Sequence, residues 1–199
     1  MFNRVTTLTG ATDIDATLQY LRNTALPVTR SQAGYRGLSA SVDREAGVLT
    51  ILTMWDSPAS RDASDSAAAK SREEASRLFS GDMTVELFEE VSLTVATPAE
   101  VGASLRVARY TLDPARLDDI VSYFDAELVP RIKAMAGFRA LRNMVNRETG
   151  AGMVGTVWDD VAAMQQADGQ MRGLRDDVGL RGVSFGETTQ RRIEIIDLP

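Results

Sequence analysis

Histidine and cysteine are both absent from this 199-residue chain. That removes the Ser–His–Asp triad, a histidine general base, thiolate nucleophiles, zinc held by His or Cys, and a proximal histidine on haem iron. Disulfides are removed as well. Chemistry is left to carboxylates, Tyr, Lys, Arg, Asn and Trp, or to a cofactor or substrate. Among these, the residues whose spacing carries information occur twice, 103 positions apart: Arg36 with Arg139, and Trp55 with Trp158. A paired Trp is the flat wall of an aromatic pocket or, more plainly, a large core residue where a strand meets a helix. A paired Arg on a strand holds a substrate anion, or it pairs with a carboxylate along the sheet. Tyr35 stands opposite Phe138, so packing explains the pair, and only the Tyr35 hydroxyl hints at chemistry confined to one half.

These pairs belong to a longer echo. AGYRGLSASVDREAGVLTILTMWD (33–56) and AGFRALRNMVNRETGAGMVGTVWD (136–159) share 11 identities in 24 positions without a gap. Unrelated segments of ordinary composition share roughly one or two. A period near 100 residues is a domain length rather than a solenoid unit. The chain therefore reads as a duplicated domain, 1–95 and 104–199, joined by the linker ATPAEVGA (96–103).

Each half has the same order of elements. SLRVARYTL (104–112) alternates as a strand. Asp113-Pro114 supplies an N-cap and a first-turn proline, and Leu117, Ile120, Val121, Phe124 and Leu128 follow at helical spacing. In the first half VTTLT is the strand, Thr12 or Asp13 the cap, and Ile14, Leu18, Leu21 and Ala25 the apolar stripe. Pro27 and Pro130 are expected to end or bend these helices. VDREAGV and VNRETGA read as hairpin turns, with Asp43 or Asn146 entering and Gly47 or Gly150 at positive φ. After each Trp a second helix begins, capped by Ser57-Pro58 in one copy and by Asp159 or Asp160 in the other. Strands at 84–95 and 188–198 close the halves. The first copy's second helix, rich in Ser, Ala and charge, is expected to be solvated and weakly packed. Five glycines in 169–187 predict that its counterpart is short and followed by a loop, a lid or a surface connection.

Strand–helix–strand–strand–helix–strand is the ferredoxin-like order. The fold class expected is α+β: two ferredoxin-like βαββαβ repeats whose antiparallel sheets pack face to face. LTILTMW (49–55), almost wholly apolar, reads as a strand covered on both faces. A net charge of −6 with scattered basic residues argues against nucleic acid. The short, charge-interrupted apolar runs argue against a membrane. MFNRVTTLTG does not read as a signal peptide, and the missing cysteines suit the cytoplasm.

The phrases GYR (34–36), DREAG (43–47) and WDS (55–57), with GFR (137–139), NRETG (146–150) and WDD (158–160), resemble the dimeric α+β barrel superfamily and within it the antibiotic-biosynthesis-monooxygenase-like group. Its members usually form homodimers of one such domain. The resemblance therefore implies an intrachain pseudo-dimer forming a dimeric α+β barrel, open to further homo-oligomerisation. The group includes haem-degrading monooxygenases, cofactor-independent oxygenases of polyphenols, and proteins without assigned activity. FNRVTTLTG resembles the haem-degrading branch, in which the Asn at the place of Asn3 serves catalysis. That branch's helical Trp would fall near Ser64 or Ala167, and its haem-ligating His near Glu73 or Asp176. Neither residue type stands there, which argues against haem degradation by that route.

The resemblance then implies a cofactor-independent monooxygenase acting on a small aromatic or polyphenolic substrate, with no cofactor and no metal. Such a site binds a flat aromatic, helps to remove a proton and holds the resulting anion. Asn3, Tyr35 and Arg36 are the catalytic candidates. Trp55, Tyr110, Arg139, Asn143 and Trp158 are the substrate-binding candidates. The competing reading is a non-catalytic protein on the same scaffold, structural or binding a small apolar or aromatic ligand. The oxygenase reading requires a cavity of about 300 Å³ or more between sheet and helices, with polar groups converging at one end.

Overall fold

The computed structural model describes every residue except 11, 12, 80 and 199. Thr12, one of the two expected caps, lies outside the described residues. The chain is α+β, with eight strands, and the pairings among the described residues of β1 with β3, β2 with β3 and β8, β4 with β6, and β7 with β5 and β6 are antiparallel. The elements run β1 (Phe2–Thr9), α1 (Ile14–Tyr20), a π turn (Leu21–Ala25), α2 (Leu26–Arg30), β2 (Tyr35–Asp43), β3 (Val48–Trp55), α3 (Pro58–Ala63), α4 (Asp65–Phe79) and β4 (Asp82–Val95). They continue as β5 (Ser104–Thr111), a 3₁₀ turn (Pro114–Arg116), α5 (Leu117–Tyr123), a π turn (Phe124–Leu128), α6 (Val129–Lys133), β6 (Phe138–Val145), β7 (Ala151–Trp158), α7 (Val161–Gly179) and β8 (Ser184–Asp197).

Two compact units are present, Met1–Leu87 with Arg192–Pro199, and Phe88–Arg191. In the first, the strand order is β4-β1-β3-β2-β8; in the second it is β8-β5-β7-β6-β4. The two long strands each serve both units. Residues 192–197 of β8 pair with β2 of the first unit, and residues 89–95 of β4 pair with β6 of the second.

Within the first unit, Leu8, Leu38, Ala40, Val42, Leu49, Ile51 and Ile195 face Leu18, Leu21 and Ala25 of the helices. The second unit's core is larger and contains Tyr110, Leu128, Ile132, Leu141, Trp158, Met171 and Leu174. Period-two alternation on strands meets period-3.6 stripes on helices, as the apolar spacing requires. Asp13, Ser57, Asp113 and Asp160 cap their helices by accepting backbone N–H bonds. Gly47 and Gly150 take φ of 64° and 71° in the two hairpins, where a side chain would strain the backbone.

Two expectations need correction. Pro27 and Pro130 do not end their helices, which continue to Arg30 and Lys133. One wide turn precedes each proline: Leu26 N–H reaches Leu21 O, and Val129 N–H reaches Phe124 O, five residues back. That π turn shifts the ladder, so a residue without an N–H is carried inside a continuing helix.

Nor is the glycine-rich helix short. α7 runs 19 residues, through Gly169 and Gly173, and no lid follows it. Met164, Ala167, Met171, Leu174 and Val178 bury one face, and that burial outweighs the glycines' weak propensity. A Cβ at Gly169 or Gly173 would meet nothing within 4 Å. Gly169→Ala and Gly173→Ala are therefore each expected to stabilise the protein by about 1 kcal/mol. Thermal melting should record a rise of roughly 2–4 °C for each. A fall in either midpoint would contradict the solvent-facing placement.

Candidate functional site

Alternation along β1 sends Arg4, Thr6 and Leu8 to the helix side of the first unit's sheet and Asn3, Val5 and Thr7 to the opposite side. β3 continues the helix-side face with Thr53 beside Arg4 and Ile51 beside Thr6. Against this face lie Leu21, Ala25 and Thr29 from one helix and Ser64, Ala68 and Ser71 from the other, enclosing a cleft. The cleft encloses about 60 Å³ and measures about 630 Å³ when its solvent-facing mouth is counted. α4 is the solvated, weakly packed helix expected from its composition: Ser64 at its start and Ala75 within it are buried, while most of its remaining residues are exposed or half-buried.

The polar end is built around Arg4, which is only 4% exposed. Its Nη1 donates to Ser64 Oγ at 3.1 Å and its Nη2 to the Arg61 carbonyl at 2.6 Å. Nη2 also lies 3.3 Å from Asp65 Oδ1. Arg72, two turns along α4, donates from Nη2 to the same Asp65 oxygen at 2.9 Å. Its Nη1 is buried and has no hydrogen-bonding partner among the described residues. Burial first, then neighbouring Arg72, pushes the Arg4 guanidinium below its ordinary value, yet arginine stays charged. Three guanidiniums, Arg4, Arg61 and Arg72, thus meet two carboxylates, Asp62 and Asp65.

The second unit repeats three of these five charges, Arg106, Asp168 and Arg175, while Met164 and Gln165 stand where the first unit has Arg61 and Asp62. Arg106 pairs with Asp168 at 3.1 Å, and Arg175 donates to Thr188 at 2.9 Å. Its apolar residues differ. Where the cleft has Ala25, Thr29, Ala68, Ser71 and Ala75, the second unit has Leu128, Ile132, Met171, Leu174 and Val178, each buried in its core. Small side chains leave space in one unit, and large ones occupy it in the other.

The residues singled out in the sequence are dispersed. Trp55 is fully buried, lines the cleft, and donates its indole N–H to Thr53 Oγ1 at 3.1 Å. Tyr35 backs Trp55 edge-on, with ring centroids 5.9 Å apart, and donates to Asp197 Oδ2 at 2.7 Å. Burial, then that bond, pushes the Tyr35 phenol well above its ordinary value, so it stays protonated at neutral pH and is no base. Asn3 is buried on the opposite face, with neither amide atom partnered among the described residues. Arg36 is exposed and reaches Asp56 at 3.5 Å.

In the second unit, Arg139 pairs with Asp159 and Glu100, each at 3.0 Å. Tyr110 donates to Asn143 Oδ1 at 2.8 Å, with burial raising its phenol. Trp158 is fully buried, bonded to Thr156 and edge-on to Phe138. Sequence reasoning missed Arg4, Arg72 and Asp65. The signal was present: Asp65 and Asp168, and Arg72 and Arg175, recur 103 positions apart, and Arg4 and Arg106 102 apart, all outside the 24-residue echo.

In the first unit, Asp197 joins the last strand to Tyr35 and Arg30. The Arg30 hydrogen bond holds its carboxyl below the ordinary carboxylate value, so the folded state binds that proton less readily than the unfolded chain. The resulting stability is present above the ordinary carboxylate range and is lost as pH falls through the folded-state value. In denaturant titrations, Asp197→Asn should unfold earlier than wild type at neutral pH, and the gap should narrow below about pH 4. A gap independent of pH would contradict this pairing.

Among the described residues no cluster of three or more acidic side chains is placed to hold a metal ion, and no helix is long and apolar enough to cross a membrane. With the site's geometry in view, comparison places the fold first. The chain shares its fold with a candidate monooxygenase from Lactobacillus acidophilus (TM-score 0.73, 10% identity, covering 99% of this chain and 96% of that one). It also shares it with an anthrone oxidase-like protein (0.69, 12%, covering 99% and 93%). A ferredoxin-fold protein of Listeria monocytogenes, related to antibiotic biosynthesis monooxygenases, aligns more loosely (0.54, 6%, covering 98% and 95%). In sequence, uncharacterized proteins from two strains of Mycobacterium tuberculosis are 23% identical over 176 residues, covering 88% of this chain and 79% of theirs. No family model matches.

Proposed function

We propose that the chain is a cofactor-independent monooxygenase-like protein with one working site, the cleft of its first unit, acting on a small aromatic or polyphenolic substrate. The observation that carries this reading is the contrast between the units: Arg4, Asp65 and Arg72 recur as Arg106, Asp168 and Arg175, but the first unit has a cleft where Ala68, Ser71 and Ala75 stand in place of the buried Met171, Leu174 and Val178. Neighbours in fold described as monooxygenases and as anthrone oxidase-like support the reaction class.

Trp55 forms an aromatic wall, and the guanidiniums of Arg4 and Arg72 stand where an oxyanion would develop. Asp65 is already engaged by two guanidiniums, so the substrate must bring its own acidity. A hydroquinone or anthrone does so. Its phenolate or enolate gives electrons to oxygen; one oxygen atom enters the product and the other leaves as water. For an anthrone, the ring CH₂ becomes C=O.

Oxygen consumption with a panel of hydroquinones and anthrones tests the reaction. Uptake matched one-to-one by product is expected; a panel that binds without uptake favours the second reading, a non-catalytic binder. The narrow enclosed volume and the lack of histidine favour that second reading. We also read 1–95 and 104–199 as tandem copies of one ferredoxin-like domain. The matched π turns before Pro27 and Pro130, 103 residues apart, support this, as does the parallel sharing of β4 and β8.

A further inference from the structure

The closed end of the first-unit cleft contains a donor without an acceptor. Arg72 Nη1 is buried and unpartnered among the described residues, although Nη2 of the same guanidinium is bonded to Asp65. A buried cationic N–H left without an acceptor is costly, and a retained one calls for a partner. In the second unit the equivalent Arg175 spends its Nη1 on Thr188. The equivalent space there is occupied by Met171 and Leu174. The second unit also holds buried donors without a hydrogen-bonding partner among the described residues, Arg175 Nε and Arg106 Nε, but Arg72 Nη1 is the one whose residue lines the cleft.

Resting on the reading of this cleft as the ligand site, we propose that Arg72 Nη1, seconded by Arg4, is the seat for a single anionic oxygen, carboxylate or phenolate, on a slim apolar body that enters as the anion. The charges facing the seat are Arg4 from β1, Arg61 and Asp62 from α3, and Asp65 on α4 itself. The residues of the helix 14–30 that line the cleft, Leu21, Ala25, Val28 and Thr29, are uncharged. Three cations against two anions take one negative charge and resist two. Ser71 also lines the cleft and offers a further hydroxyl donor, whereas the Ser64 hydroxyl is already donated to the Arg61 carbonyl at 2.7 Å. Leu21, Val28 and Met83 give the ligand's body an apolar passage, narrow enough for one ring or an alkyl chain.

Binding of 4-nitrophenol, followed by phenolate absorbance across its titration, reads the seat without requiring turnover. The wild-type protein is expected to prefer phenolate over phenol about tenfold or more, seen as a lowered apparent pKa of the bound probe. Arg72→Met should reduce that preference to about one. Arg72→Lys, which keeps the charge and the pairing with Asp65, should retain part of it, and Arg175→Met in the second unit should change nothing. In competition with the wild-type protein, octanoate should displace the probe and octanol should not. Octanoate binding tighter than 4-nitrophenolate identifies a carboxylate ligand, and the converse identifies a phenol. Equal displacement by octanol, an undiminished preference in Arg72→Met, or no binding of either form overturns the seat. Absence of oxygen uptake with the preference intact overturns only the oxygenase reading.

Discussion

Trp158→Ala is expected to cost about 3–5 kcal/mol, the largest stability loss of any single change considered for this protein. The indole has no exposed surface, its N–H is bonded to Thr156 Oγ1 at 3.0 Å, and Phe138 meets it edge-on with centroids 5.8 Å apart. Truncation forfeits the transfer energy of the ring and the aromatic contact, and it opens a cavity in the buried core. At roughly 2–4 °C per kcal/mol, the midpoint should fall by about 10 °C. Trp55→Ala should cost less, because one side of that ring already borders the cleft and makes fewer dispersion contacts. Thermal melts of the two variants side by side check the claim. A Trp55 variant as damaged as the Trp158 variant would show that the first unit is packed as tightly as the second.

Writing the second unit's residues into the first, Ala68→Met with Ser71→Leu, is expected to abolish ligand binding while leaving the fold intact. At the equivalent positions Met171 and Leu174 are each 4% exposed and packed into the core. In the first unit they would fill the cleft, and cavity filling commonly adds about 0.5–2 kcal/mol. Affinity for 4-nitrophenol should drop roughly a hundredfold, on the order of 3 kcal/mol, with an unchanged or higher melting midpoint. Retained affinity would move the ligand to another site. The reverse exchange, Met171→Ala with Leu174→Ser, should open space in the second unit at a cost of about 2–5 kcal/mol for each large-to-small change. The asymmetry follows from a stability argument: filling a gap is cheap, and emptying a packed core is not.

Much of the chain's organisation is readable from local rules. The hairpins at Gly47 and Gly150, the caps at Asp13, Ser57, Asp113 and Asp160, and the alternating strands each depend on residues a few positions apart. Such features survive in sequence because their physics is local. Where a longer range enters, local rules lose. Proline marks a helix end by its missing N–H, but a π turn upstream absorbs Pro27 and Pro130, and packing of the whole helix rewards that adjustment. Glycine marks a weak helix, but the buried stripe from Met164 to Val178 carries α7 past Gly169 and Gly173.

The candidate site divides in the same way. Trp55 was legible because its type and repeated position mark it. Arg4 and Arg72 lie 68 positions apart, and only the folding of α4 over β1 puts both guanidiniums on one Asp65 oxygen. Alternation decides that Arg4, rather than its neighbour Asn3, faces the helices, and that choice depends on which face of the sheet those helices cover.

By itself, then, the sequence determined the repeated 24-residue phrase, the order of the elements, the turns and caps, and the exclusion of the chemistries that histidine and cysteine would have supplied. Only the tertiary structure decided that β4 and β8 each serve two units, and that equivalent arginines border a filled space in one unit and an open cleft in the other. The physical reason is that pattern and propensity act along the chain, whereas volume and charge are felt only between residues that packing has brought together.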